Sequence, residues 1–359
     1  MRSLVFGFLH QVGLIELYRF IHRNSIAILM LHGVMDEEAS SAWVPLRPQL
    51  SRKRLKAALE ILSQYYNFIS LDAAVDMLAG RVPLKPYSLV LTFDDGYRNQ
   101  LKHALPILQD FNAPATIFLA TGHIEHRKPF WFDRLDYALQ HARLAGRQFN
   151  IGNEIIQFPS DSREDVRVSF KQLRDAAKRA DRPDTMMTQE MEMLAERLEN
   201  ESGHRLADIF EHDDWSALLD WKEIREAGAR SLVTFGSHTV DHTRLGLASE
   251  REIRHQAKRS KETIERHTGN QCRFFCFPSG SFSARSLNVL QESGYAAAVT
   301  TLEGLNTRKD NPLALRRISL PASDRRSDIL WQSLQLSQLK KTLGLRPPNR
   351  RITECILGD

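Results

Sequence analysis

The sequence predicts an α/β protein built on a barrel-like parallel sheet of six or seven strands, interrupted by a mostly helical insertion. Three observations predict it. Short apolar runs alternate with segments of helical period, which is the pattern of βαβ units. The helical segments are too many for a β-sandwich. The alternation stops after about His123 and resumes near Asp220, which sets a highly charged stretch apart from two halves of one sheet. The resulting division is an N-terminal amphipathic helix (1–23), a barrel in two pieces (24–124 and 220–322), the insertion (125–219) and a basic C-terminal helix or tail (323–359).

Residues 4–21 are apolar on one side but interrupted by His10, Gln11, Glu16 and Arg19. They form neither a spanning run nor a signal-peptide core. The helix docks on the domain or lies on a membrane surface. Residues 26–31 (IAILML) read as a buried strand. Leu55, Leu59, Leu62 and Tyr66 recur at helical spacing behind Ser51, and a shorter helix over 71–78 follows Ser70, both serines being good caps. Residues 89–93 (LVLTF) and 116–120 (TIFLA) are two more strands around a helix over 101–111.

In the insertion, 149–158 reads as a hairpin with Gly152-Asn153 at its turn, and 162–212 is helical in pattern. Beyond it come a helix over 221–227, a strand over 232–236 and a long helix over 249–267, started by Ser249 with Glu252 three residues on. Strands over 274–277 and 296–300 flank a helix over 284–292, and 315–320 is the last strand.

Composition narrows the function. Of 359 residues, 42% are hydrophobic and 26% charged, which excludes an intrinsically disordered chain. A net charge of +5 is too mild to mark a nucleic-acid binder. The cations gather late (Arg316, Arg317, Arg325, Arg326, Lys340, Lys341, Arg346, Arg350, Arg351), as a solvated surface or a contact for anionic lipid or acidic glycan. Cys272, Cys276 and Cys355 make no disulfide framework or zinc knuckle, so a reducing compartment fits. With no signal peptide, the expected location is cytoplasmic, touching the inner face of the membrane at most.

Two segments carry chemistry. Thr92-Phe93-Asp94-Asp95-Gly96-Tyr97 places adjacent carboxylates directly after a buried strand, and strand carboxyl ends are where α/β sheets build their sites. Strand alternation gives the two aspartates different directions and hence two tasks, one ligand and one base. A plain Asx turn is the simpler alternative. Ser237-His238-Thr239-Val240-Asp241-His242 also follows a strand, with histidines at i and i+4, a spacing that on a helical turn suits two imidazoles on one metal. The alternative is two unrelated surface histidines. An Asp and two His together leave coordination positions open, as in catalytic zinc sites and in non-haem iron sites. The spare Asp94 favours hydrolysis, since it can take a proton from water. A third segment, Phe275-Cys276-Phe277-Pro278-Ser279-Gly280, ends a strand in a turn able to aim an N–H at an oxyanion.

Thr-Phe-Asp-Asp-Gly, Ser-His-Thr-x-x-His and Phe-x-Phe-Pro-x-Gly, in this order, resemble the polysaccharide deacetylase family, the NodB-homology domain of carbohydrate esterases, over 24–124 and 220–322. The resemblance implies a distorted (β/α) barrel of about seven parallel strands and a metal-dependent hydrolase that removes N-acetyl groups from an amino sugar, oligosaccharide or polysaccharide. It implies a divalent metal, zinc foremost, on Asp95, His238 and His242, with Asp94 as base and the N–H of Ser279 in the oxyanion hole. Alternatives are a deformylase or other amide hydrolase acting on a lipid-linked amino sugar, a non-haem iron oxygenase, and a non-catalytic glycan binder.

The chain departs from the family pattern in three places. Cys276-Phe277-Pro278 stands where the family often has an Arg that orients the base, and Arg317 is the candidate replacement. Ser279 replaces a frequent Tyr, so only its backbone role carries over. The late Leu-x-His that supplies a catalytic acid is absent, and no histidine follows His267. His32, in Met30-Leu31-His32-Gly33 just after the first strand, is the expected acid. The insertion is expected to cover the site or to decorate the periphery.

Overall fold

The computed structural model describes residues 2–36, 43–179, 182–229 and 232–336. Two helices, α1 (Arg2–Gln11) and α2 (Leu14–Ile21), precede the first barrel half: β1 (Ile26–Leu31), β2 (Val34–Met35), β3 (Leu50–Ser51), α3 (Arg52–Ser63), β4 (Asn67–Phe68), α4 (Leu71–Leu78), β5 (Ser88–Phe93), α5 (Leu105–Asp110) and β6 (Ala115–Leu119). A short α6 (Thr121–Glu125) leads into α7 (Trp131–His141), the hairpin β7 (Arg147–Ile151) and β8 (Glu154–Phe158), and the long helices α8 (Arg163–Arg179) and α9 (Asp184–Ser202). The second half follows as α10 (Trp221–Gly228), β9 (Val233–Ser237), α11 (Glu250–Thr268), β10 (Phe274–Cys276), α12 (Ala284–Glu292), β11 (Ala297–Val299), β12 (Ile318–Ser319) and α13 (Arg326–Ser333).

The main sheet runs β11-β10-β9-β6-β5-β1-β12, with β4 added beside β5, and every pairing in it is parallel. Val299 also bridges to Leu315, so the segment 315–319 touches β11 at one end and β1 at the other. The fold is therefore the distorted barrel the sequence implies. Helical caps fall where the serines predict: the Ser51, Ser70 and Ser249 hydroxyls accept from the N–H of Arg54, Ala73 and Glu252.

Strand alternation sorts the core into two layers. Ile26, Ile28, Val90, Phe118, Phe274 and Cys276 fill the inside of the curled sheet with α4. Ala27, Leu29, Leu31, Leu89, Leu91, Phe93 and Ile117 face the outer helices, in a cluster that continues through the insertion to Leu135, Phe170 and Met191. Gly236 is fixed by this packing, because a Cβ there would lie 2.6 Å from the Phe118 ring.

Several expectations change. The N-terminal helix is two, broken at Gly13, whose φ of 70° caps α2. It docks through Ile15 and Tyr18 against Leu330, Trp331, Leu334 and Leu336, while Phe8, Leu17, Phe20 and Ile21 stay exposed. The helix over 101–111 opens with a π-helical turn at Gln100–Ala104, with Pro106 in the first turn of α5. The last strand is short, since Arg317 N–H turns away to the Leu302 carbonyl. Nothing in the hydropathy announced β4, a two-residue strand. No helix among the described residues is long and apolar enough to cross a membrane. Cys355 and the cations from Lys340 onward lie outside the described residues.

Candidate functional site

The inward register of β5 carries Val90, then Thr92, then Asp94 toward the carboxyl end of the barrel. Asp94 N–H is held by the Leu31 carbonyl at 3.0 Å, so strand geometry persists through it. Asp95 and Gly96 then both take a φ of 79°. This left-handed step ends the alternation that would have sent the neighbouring carboxylates to opposite faces. Both side chains consequently line one cavity of about 340 Å³, together with His32, His238, His242 and Ser279.

His238 continues the inward register of β9, and its Nδ1 meets the Cys276 carbonyl at 2.8 Å, leaving Nε2 toward Asp95. Nε2 of His238 and Nε2 of His242 each lie 3.5 Å from Asp95 Oδ1. The histidines do not sit on a helical turn, which corrects the spacing argument. Thr239 and His242 have φ values of 68° and 55°, and the loop is held by side chains. Gln256 Oε1 of α11 accepts from the N–H of Val240 and Asp241, and Thr239 Oγ1 accepts from Thr243 N–H. The loop thus folds His242 back to His238, with ring centroids 4.9 Å apart.

The ligand atoms of Asp95, His238 and His242 all fall within 4.8 Å of one another, which suits a single divalent cation. Two of the three protonation states fit as they stand. His238, which burial would lower, is held well above its ordinary range by Cys276 and Asp95 and must shed a proton to ligate. Burial would raise Asp95, but its bonds and charges with the histidines hold it below the usual carboxylate range. Burial and the neighbouring His238 push His242 down to about 3, so it stands as neutral imidazole. The indexing of His238 by a backbone carbonyl is the outer-shell contact that ligating histidines ordinarily have.

Arg317, the sequence's candidate for orienting the base, makes the strongest contact at the site. Counted in the sequence among the late surface cations, it is instead fully buried inside the barrel. Its Nη1 and Nη2 each bond one oxygen of Asp94 at 2.7 Å, a fork-on-fork pair. Nε donates to the Thr300 carbonyl at 2.8 Å, and Nη2 lies 3.2 Å from Cys276 Sγ. Burial alone would raise the Asp94 carboxyl, but the Arg317 charge and its two hydrogen bonds outweigh that and hold it below its ordinary range. Cys276 Sγ sits against both members of the pair, 3.4 Å from Asp94 Oδ1 and 3.2 Å from Arg317 Nη2.

His32 follows β1 and stands half-exposed at the cavity, Nε2 4.0 Å from Asp94 Oδ2. Ser279 has a φ of 54° in the turn Pro278–Gly280, whose own bonds use the N–H of Gly280 and Ser281, and it too lines the cavity. The insertion covers the site rather than hanging at the edge. Trp131 and Phe132 of α7, Arg174 and Lys178 of α8, and Asp184 and Met187 of α9 are all cavity-lining. Sequence reasoning missed these and Arg47, whose guanidinium is held by Asp133 and lies 4.7 Å over the Phe132 ring. The carboxyl of Asp133, raised to about 6 by burial, also accepts from Tyr97 OH at 2.6 Å.

A parallel barrel with paired aspartates and two histidines at its carboxyl-terminal mouth carries a group able to hold a cation there. The chain belongs to the polysaccharide deacetylase family, whose model matches residues 81–298, more than half of it. His32 and Arg317 lie outside the matched span. The poly-beta-1,6-N-acetyl-D-glucosamine N-deacetylase of Escherichia coli (strain K12) is 22% identical over 284 residues, which are 79% of this chain and 34% of that protein. The chain thus spans about a third of the length of the curated relatives it matches there. Among solved structures, the Streptococcus pyogenes deacetylase PplD in complex with acetate superimposes with a TM-score of 0.55 at 19% identity, covering 86% of this chain and 98% of that one. IcaB from Ammonifex degensii gives 0.54 at 18% identity, covering 86% and 97%. At these identities the likeness is one of fold.

Proposed function

We propose that this protein is a metal-dependent N-deacetylase acting on an N-acetylated amino sugar, alone or in an oligosaccharide or polysaccharide. The observation that carries the reading is the Asp95, His238, His242 set beside a second carboxylate, Asp94, gripped at both oxygens. Zinc is the ion that best suits two imidazoles and one carboxylate with positions left open. When bound, it supplies Lewis acidity toward water and the acetyl carbonyl.

The chain's own groups do the rest. Asp94, ionised at neutral pH, takes the proton of the attacking water, and Arg317 fixes the plane of its carboxylate. The N–H of Ser279 faces the negative charge that grows on the carbonyl oxygen. His32 gives a proton to the departing amine nitrogen. The aromatic wall of Trp131 and Phe132 offers flat apolar surface to a sugar ring while excluding water. An iron oxygenase would share the three ligands, but it has no use for a carboxylate held ready as a base.

The test is acetate release from N-acetylated oligosaccharides by zinc-loaded protein, with His238→Ala as control. That variant keeps two ligands and is expected to lose tight metal binding in elemental analysis, together with acetate release. Undiminished metal in it would overturn the ligand assignment. His32→Ala is expected to keep its metal and to lose on the order of 10²–10⁴-fold in turnover. The loss should be smaller for an aryl N-acetyl substrate, whose better leaving group needs less help from an acid. Unchanged turnover would remove His32 from the mechanism.

A further inference from the structure

One wall of the cavity is positively charged beyond what deacetylation requires. Arg47, Arg174, Lys178 and Arg244 all line it. Two of them have dedicated carboxylates: Arg47 bonds Asp133, and Arg244 bonds Asp184 at 2.5 Å. The other acids of the cavity are committed as well, Asp94 to Arg317 and Asp95 to the histidines. Arg174 and Lys178 are left over. They stand four residues apart on α8, so their side chains project from one face. Neither side chain makes an ion pair or hydrogen bond among the described residues, and Asp175, beside them in sequence, is taken by Lys171 at 2.7 Å. The Arg174 guanidinium rests 5.4 Å from the Phe170 ring, which holds it without neutralising it.

Two like charges at this spacing repel, and both stand on the cavity wall, Arg174 half-buried and Lys178 exposed at the rim. The electrostatics register it: partial desolvation against the cavity wall, with Arg174 and Arg244, pushes the Lys178 ammonium down to about 8, and partial desolvation with Arg47 lowers Arg174. An anion entering the cavity relieves this. We propose that Arg174 and Lys178 form an anion subsite, and that the substrate is an N-acetylated amino sugar carrying a phosphate or diphosphate group. The inference rests on the deacetylase reading above. Two positive charges without a direct ion pair match a doubly charged anion, whereas a single carboxylate leaves one of them unmatched. A guanidinium fork beside an ammonium point charge is also a common pair for phosphate oxygens. A space of about 340 Å³ accommodates one sugar with its phosphate.

The test is binding to zinc-loaded, full-length protein by calorimetry. The ligands are N-acetylglucosamine, its 1-phosphate, its uridine diphosphate ester, a short-chain prenyl diphosphate ester, and a disaccharide pairing N-acetylglucosamine with glucuronate. The phosphorylated sugars are expected to bind about tenfold or more tightly than the neutral sugar, since charge-assisted contacts are individually worth about that much. Arg174→Gln and Lys178→Gln are each expected to remove most of the preference, and Lys178→Arg to retain it, which separates charge from fold. The tightest of the three phosphorylated ligands identifies the carrier. Equal affinity for neutral and phosphorylated sugars overturns the subsite, as does a preference that survives both Gln variants, or glucuronate binding as well as phosphate. Acetate release is scored separately. A phosphate preference without acetate release from any ligand would fault the deacetylase reading and leave the subsite standing. Acetate release without the preference would do the reverse.

Discussion

Asp94→Asn should retain its metal and lose about 10²–10⁴-fold in acetate release, the usual contribution of a general base. The amide is nearly the same size, and Asp95, His238 and His242 are untouched, so the cation site survives. What goes is the ability to accept a proton at a carboxylate whose two oxygens Arg317 holds at 2.7 Å each. The Asn side chain also offers an NH2 to one guanidinium nitrogen, so the fork is broken on one side. Elemental analysis beside an acetate assay reads both quantities in one preparation. Near-native turnover with full metal would strip Asp94 of its role.

Arg317→Met should be the more damaging change to the molecule itself. Arg317 has no exposed surface, and its removal leaves the carboxylate of Asp94 buried without its cation. Breaking a buried pair in this one-sided way typically costs about 3–5 kcal/mol. The loss has a sign in pH as well. With Arg317 present, Asp94 has a depressed folded-state value, so its contribution to stability is present above the ordinary carboxylate range and is lost as pH falls through the folded value. Without Arg317, burial dominates and the carboxyl takes up a proton at higher pH. The acidic limb of the activity profile should therefore move upward. Denaturation midpoints and a pH–rate profile measure the two effects. The double variant Asp94→Asn/Arg317→Met should be more stable than Arg317→Met alone, because the orphaned charge is gone. A double variant no more stable than the single would contradict this account of the pair.

The parts of the site that were legible in the sequence are those fixed by strand ends. Asp94 and Asp95 directly follow an unbroken apolar run, and His238 directly follows another, so their placement needed only strand alternation and the parallel-sheet rule. His242 was named for the wrong reason. Its approach to His238 depends on left-handed residues at Thr239 and His242, and on an amide acceptor, Gln256, from the next helix. No local pattern encodes that. Arg317 was found by asking what must replace a missing arginine, yet its neighbours in sequence are surface cations and nothing in composition separates it from them. Arg47, Arg174 and Lys178 stayed hidden for a related reason. Charges at helical spacing along α8 read as a solvated face, and only the docking of α7, α8 and α9 over the barrel mouth turns some of them inward. The break at Gly13 and the two-residue β4 are decided by what packs on them, not by their own propensities.

The pairing of Asp94 with Arg317 joins residues 223 positions apart, across the point where segment 315–319 draws the two sheet edges together. During synthesis, the strand that carries the base is complete long before its counter-charge leaves the ribosome. Until then a charged carboxylate faces the forming interior, and docking of β1 against β5 would enclose it unpaired. The last segment is therefore expected to act as a latch on folding. Chains stalled or clipped before residue 317 should stay loosely packed and protease-sensitive around β5, even though nearly every core residue of the barrel has already been made.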